Sequence, residues 1–180
     1  MADEKVVEEL EKSENTVIYC KRCGQPVDDE PLKVDQEVLE DYLRASLAGK
    51  KFEKTYKIAG GRIQATFEDL PAQVADKFND IMRSVPADRM LDTAVDYKLA
   101  LILKLVEFIT EDGTVEVKYD GTDRLKGIDD LPAAVKGLSS KFDETMMAVL
   151  RRVSLNFVIL LKTISDNLLN SDFYTGVGLR

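Results

Sequence analysis

Apolar and polar positions alternate along this chain with two different periods, and the changes of period mark its elements. From about Asp35, the residues Val38, Leu39, Tyr42, Leu43 and Leu47 recur at approximate three- and four-residue steps. That spacing aligns them on one side of a helix, and Gly49 supplies a stop. The period then shortens. Phe52, Tyr56 and Ile58 fall on one side of an extended segment, and Ile63, Ala65 and Phe67 on one side of a second. Ala59-Gly60-Gly61 provides the tight connection, because glycine enters positive φ without a side-chain clash. Residues 52–67 therefore predict a β-hairpin with one face covered by helices.

Asp69-Leu70-Pro71 opens a second helix, with the proline near the first turn, where a missing amide proton does little harm. Val74, Phe78, Ile81, Met82 and Val85 form its stripe, and Pro86 ends it. A third helix is expected from about Asp88 or Asp92 to Ile109. Its centre, Leu99-Ala100-Leu101-Ile102-Leu103, is apolar on nearly all sides and calls for contacts around most of its circumference. Glu111-Asp112-Gly113 reads as a turn. Val115, Val117 and Tyr119 then alternate with polar residues and predict one more strand. After Asp130-Leu131-Pro132, apolar residues from Leu138 to Leu168 repeat at helical steps, enough for a helix of about 30 residues. Gly137 is the expected bend, leaving a separate turn at 131–136.

The predicted fold is thus α+β and mainly helical: a β-hairpin and a further strand packed with about four helices, the last one long. Four segments follow from the pattern. Residues 1–15 form an acidic flexible start, and 16–31 a short Cys-x-x-Cys knuckle and linker. Residues 32–170 form the helical α+β domain, and 171–180 an extended tail. Asp69-Leu70-Pro71-Ala72 and Asp130-Leu131-Pro132-Ala133 echo one another; duplication and repeated helix-start chemistry explain the echo equally well.

Composition adjusts this picture in two ways. The 180 residues include 33 acids and 25 bases, a formal net charge of −8, which opposes nonspecific attraction to nucleic acid. The apolar fraction of 44% supports a real core, while the longest apolar runs are too short to span a bilayer. The first residues also lack the basic-then-apolar pattern of a secretory signal. A reducing cytoplasm is the expected location.

Cys20 and Cys23 form the one conventional motif. Two thiolates at this spacing converge on a zinc ion, but a tetrahedral structural site needs four ligands, and the chain has no third cysteine and no histidine. Three readings stay open: an unmetallated knuckle, a zinc ion shared between two subunits, and mixed coordination with Asp28, Asp29 or Glu30. Redox chemistry is less well matched, because Gln25-Pro26-Val27-Asp28 does not resemble the helix that follows a redox dithiol.

Candidate catalytic groups are sparse. Without histidine there is no Ser-His-Asp or Cys-His arrangement. Gly60-Gly61-Arg62 matches neither a P-loop nor a dinucleotide-binding turn. Asp112 with Asp120 or Asp123, and Asp129 with Asp130, all lie beside turns or helix starts, where acids are common. The chain reads as a non-enzymatic binding protein.

The stretch from Phe52 to Phe67, followed by helices, and the ending Leu168-Leu169-Asn170-Ser171-Asp172-Phe173-Tyr174-Thr175-Gly176 resemble tailed-phage tail assembly chaperones and baseplate assembly proteins. The Cys20/Cys23 knuckle departs from the simpler helical chaperones. The resemblance implies a phage morphogenesis protein that binds a tail or baseplate component, located in the host cytoplasm during assembly. The implied partner-binding residues are Phe52, Tyr56, Arg62, Phe67, Phe173 and Tyr174, with exposed parts of 95–109. Two alternatives accompany it: a stoichiometric structural component of the virion, and a small zinc-linked regulatory or nucleic-acid-binding protein. Homo-oligomerisation fits the shared-zinc reading.

Overall fold

The computed structural model describes residues 34–169 and, before them, the backbone pairing of two short strands. Strand β1 (Ile18–Tyr19) runs antiparallel to β2 (Pro26–Val27), with Ile18 opposite Val27 and Tyr19 opposite Pro26. The chain divides into two compact units, 1–33 and 34–180. The acidic start, Cys20, Cys23 and the 171–180 tail lie outside the described residues.

In the second unit, α1 (Gln36–Leu47) leads into β3 (Glu53–Ile58) and β4 (Ile63–Glu68), followed by α2 (Ala72–Arg83) and α3 (Met90–Ile102). Strands β5 (Leu103–Ile109) and β6 (Val115–Asp120) come next, then α4 (Leu131–Ser139) and α5 (Glu144–Leu169). All four strands form one antiparallel sheet in the order β3-β4-β5-β6. The result is a mixed α+β fold, mostly helical, with the long C-terminal helix that the periodicity predicts.

The hairpin follows its sequence closely. Ile58 faces Ile63 and Tyr56 faces Ala65, and the connection places Gly60 and Gly61 at φ +67° and +91°. Alternation buries Ala65 and Phe67 on one face, where they meet α5. There Phe157 stacks on both Phe67 and Phe52, with ring centroids 5.8 and 6.2 Å apart. Tyr42 of α1 packs edge-on against Phe52 at 5.5 Å. These rings join the hairpin, the first helix and the last helix into one apolar centre. Offset and edge-on geometries of this kind add to the gain from burial alone.

Two expectations are corrected here. The third helix does not reach Ile109. It stops at Ile102, and Leu103 turns to φ −71°, ψ 111°, so the chain passes directly into β5. A short, continuously apolar run fits a buried helix or a central strand equally well, and here β4 and β6 supply backbone partners on both sides. The second correction concerns Gly137, which lies inside α4 rather than at a bend. The break comes at 140–143, where the Asp143 carboxylate accepts from the Met146 amide at 2.7 Å and so caps the start of α5.

Bulges explain a further difference. Thr66 faces Leu105 while Phe67 faces Leu103, leaving Lys104 as an extra residue in β5. Likewise Val106 faces Tyr119 while Glu107 faces Val117, leaving Lys118 extra in β6. Each extra residue reverses the alternation. Tyr119 consequently packs into the core, whereas Val115 and Val117, expected on the same side as Tyr119, point the other way.

Candidate functional site

The expected partner-binding aromatics are distributed differently from the sequence reading. Phe52 and Phe67 are core residues, 6% and 0% exposed, so they offer nothing to a partner in this fold. Their rings are held by Phe157, and withdrawing them would open the apolar centre. Tyr56 is half-buried against the edge of Phe67 at 5.7 Å. Burial raises the pKa of its phenol. Arg62 is exposed and pairs with Glu111 at 3.2 Å, bridging the two turns at that end of the sheet. Phe173 and Tyr174 lie outside the described residues. In the 95–109 segment Leu99 through Leu103 are buried, so these five residues are withdrawn from any binding surface.

What the structure does expose is the other face of the sheet. Its register sets out three rows. Thr55, Thr66, Leu105 and Asp120 lie side by side, as do Lys57, Gln64, Glu107 and Val117, and Ile109 lies beside Val115. Thr55 and Thr66 share a hydrogen bond between hydroxyls at 2.8 Å. Val115 and Val117 are 53% and 58% exposed, and neither they, Leu105 nor Ile109 joins the apolar core. Four apolar side chains thus sit among threonines and charges on a face that the helices leave open. Val115 and Val117 are exposed and Leu105 and Ile109 half-buried; single exposed apolar residues are ordinary, but a cluster on one sheet face is a recognised interaction feature.

One end of that face is closed by charge. Glu68 and Arg124 form a buried ion pair, with side chains 11% and 3% exposed. Arg124 also donates from Nε to the Leu101 carbonyl at 2.8 Å and from Nη1 to the Gly121 carbonyl at 3.1 Å. Lys51 lies 3.6 Å from Glu68, and Lys104 reaches both Glu68, at 3.9 Å, and Glu53. Burial pulls the Lys51 and Arg124 pKa values down, and in Lys51 the neighbouring cations Arg124 and Lys104 lower it further. The cluster ties β4, the end of α3 and the turn after β6 together. It is a structural clamp: Arg124 joins the Leu101 carbonyl of α3 and the Glu68 carboxylate of β4 to the turn after β6, which its bond to Gly121 closes. Alternation did not reveal it: Glu68 continues the outward series of Gln64 and Thr66, and its burial comes from Arg124, 56 positions later.

The carboxylate pairs considered for catalysis also have local work. Asp112 accepts from the Thr110 hydroxyl and, at 3.2 Å, from the Thr114 amide. Asp120 accepts from the Thr122 amide at 2.9 Å and from its hydroxyl. These hydrogen bonds hold both acids below the ordinary carboxylate range. Asp130 caps α4 through the Ala133 amide at 3.1 Å, and Asp129 pairs with Lys77. Among the described residues, no three His, Cys, Asp or Glu side chains converge to hold a metal ion, and no helix is long and apolar enough to cross a membrane.

No protein-family model, curated protein or solved structure matches this chain.

Proposed function

We propose that this protein is a non-enzymatic phage morphogenesis factor, which binds a tail or baseplate component while those structures assemble. The observation that carries the reading is the open sheet face, where Leu105, Ile109, Val115 and Val117 stand clear of the core. A mixed surface of this kind suits a protein partner: apolar patches supply the burial, and surrounding threonines and charges set orientation. The likeness of the 52–67 hairpin and the 168–176 ending to phage assembly proteins narrows the partner to tail and baseplate components.

The test is capture of purified tail and baseplate proteins by the wild-type chain and by V115D/V117D. Both valines are more than half exposed, so the double variant should keep the wild-type circular dichroism and melting temperature. Loss of capture with the fold intact is the expected result. Capture that is equally strong in both proteins, or absent in both, would count against the reading. Recovery of the protein at fixed stoichiometry in purified virions would instead favour a structural component of the particle.

A further inference from the structure

The sheet has two edges, and only one is shaped to receive another strand. At β6 the extra residue Lys118 interrupts the ladder, and such bulges discourage pairing. At β3 the register with β4 is unbroken over six residues, and among the described residues no strand pairs with its outer side. A regular edge presents a full row of unpaired amides and carbonyls. Something has to make that row selective.

We infer that β3 pairs antiparallel with β3 of a second copy of this chain, about a two-fold axis at Thr55, joining the two sheets into one of eight strands. Charge complementarity selects both the partner and the register. In that arrangement Glu53 faces Lys57 of the second copy, and Lys57 faces its Glu53. Thr55 meets Thr55, which extends the existing Thr55–Thr66 contact into a row of four threonines across the axis. On the inner face Lys54 lies opposite Tyr56, where its aliphatic stem covers the ring. Opposite charges and threonine pairs directly across a ladder are each favourable, and like charges there are unfavourable.

Neighbouring registers lack this match. Keeping each face aligned requires a slip of two residues. One such slip sets Lys54 against Lys54 and Lys51 against Lys57. The other sets Glu53 against Ala59 and Lys57 against Thr55, so neither charge meets an opposite across the new ladder. Lys57 has no ion-pair partner within its own chain among the described residues, whereas the two-fold arrangement gives it one. The inference concerns the backbone edge, so it stands apart from the proposed use of the sheet face.

Sedimentation of the full chain over a wide concentration range at low salt tests it, because exposed pairs are screened at higher ionic strength. E53K and K57E should each weaken the dimer by about tenfold, since both symmetry-related pairs become repulsive. Mixing the two variants should restore association, because every facing pair is then opposite in charge. E53K also removes the Lys104 partner, so circular dichroism and melting must show both variants folded. In a C20S/C23S background, T55C should form an interchain disulfide on oxidation, as directly opposed strand residues are within its reach. A monomer at all concentrations would overturn the inference. So would a dimer indifferent to both charge changes and not cross-linked through T55C, which would place association on another surface.

Discussion

Replacing Arg124 by methionine removes a guanidinium that is 3% exposed and joins three parts of the fold. Methionine keeps most of the aliphatic stem, so the loss is chiefly polar. The hydrogen bonds to Leu101 and Gly121 disappear, and the Glu68 carboxylate is left buried without its principal partner. Breaking a buried pair from one side costs about 3–5 kcal/mol. Lys51 and Lys104, at 3.6 and 3.9 Å from Glu68, offset part of that cost and place the expectation near the lower end. For a domain of this size, a loss of about 3 kcal/mol lowers the melting temperature by roughly 6–12 °C. Urea unfolding followed by circular dichroism measures the change, with the slope held constant to show that the unfolded state is unaltered. The double variant E68Q/R124M supplies the control: removing the orphaned charge should recover about 1–3 kcal/mol relative to the sum of the single changes. A loss below about 1 kcal/mol for R124M, or simple additivity in the cycle, would show that the clamp contributes little.

Two further outcomes follow from the same region. A Cβ at Gly121 would stand 2.6 Å from the Leu103 carbonyl oxygen and 2.9 Å from the Tyr119 ring, so G121A should destabilise by about 1–3 kcal/mol. An unchanged urea midpoint would refute that close approach. Lys98 lies with its ammonium 5.2 Å from the Phe78 ring centre, and burial lowers its pKa below the ordinary 10.5, with Asp69 opposing the shift. Between its folded value and 10.5 the unfolded chain therefore binds more protons, and stability should rise with pH across that window. K98M should flatten the rise in a stability-against-pH series, and a slope equal to wild type would contradict the assignment.

The hairpin and helices α1, α2 and α5 were legible because each obeys a single period over its length. The third strand was not. Within 103–109 the bulge at Lys104 sends Leu103 and Leu105 to opposite faces, although two positions separate them and regular alternation would place them together. With the period broken, only the unbroken apolarity of 99–103 was visible, and that favours a helix as readily as a strand. The same cause misplaced Tyr119 relative to Val117, since Lys118 is the extra residue between them. Local patterns identify elements whose side chains alternate without interruption; a bulge is fixed by the strand across the ladder, which can lie 40 residues away.

The site was harder to read than the fold, and its aromatics show why. Phe52 and Phe67 bound the hairpin whose likeness to phage assembly proteins implies partner contacts, but large rings serve cores as readily as interfaces. Three phenylalanines from distant parts of the chain stack in one place, and only that convergence distinguishes the two uses. The features that reach solvent carry weaker sequence signals: valines on a short strand, threonines in a row, and a glutamate four positions before a lysine. Glu53, Thr55 and Lys57 look like routine edge-strand polarity when read along the chain. Read across a two-fold axis, the same three residues are self-complementary, and no other even register of β3 makes them so. Selectivity at this edge thus comes from the order of charges along the strand rather than from apolar residues, which is why it escapes a search for hydrophobic contacts.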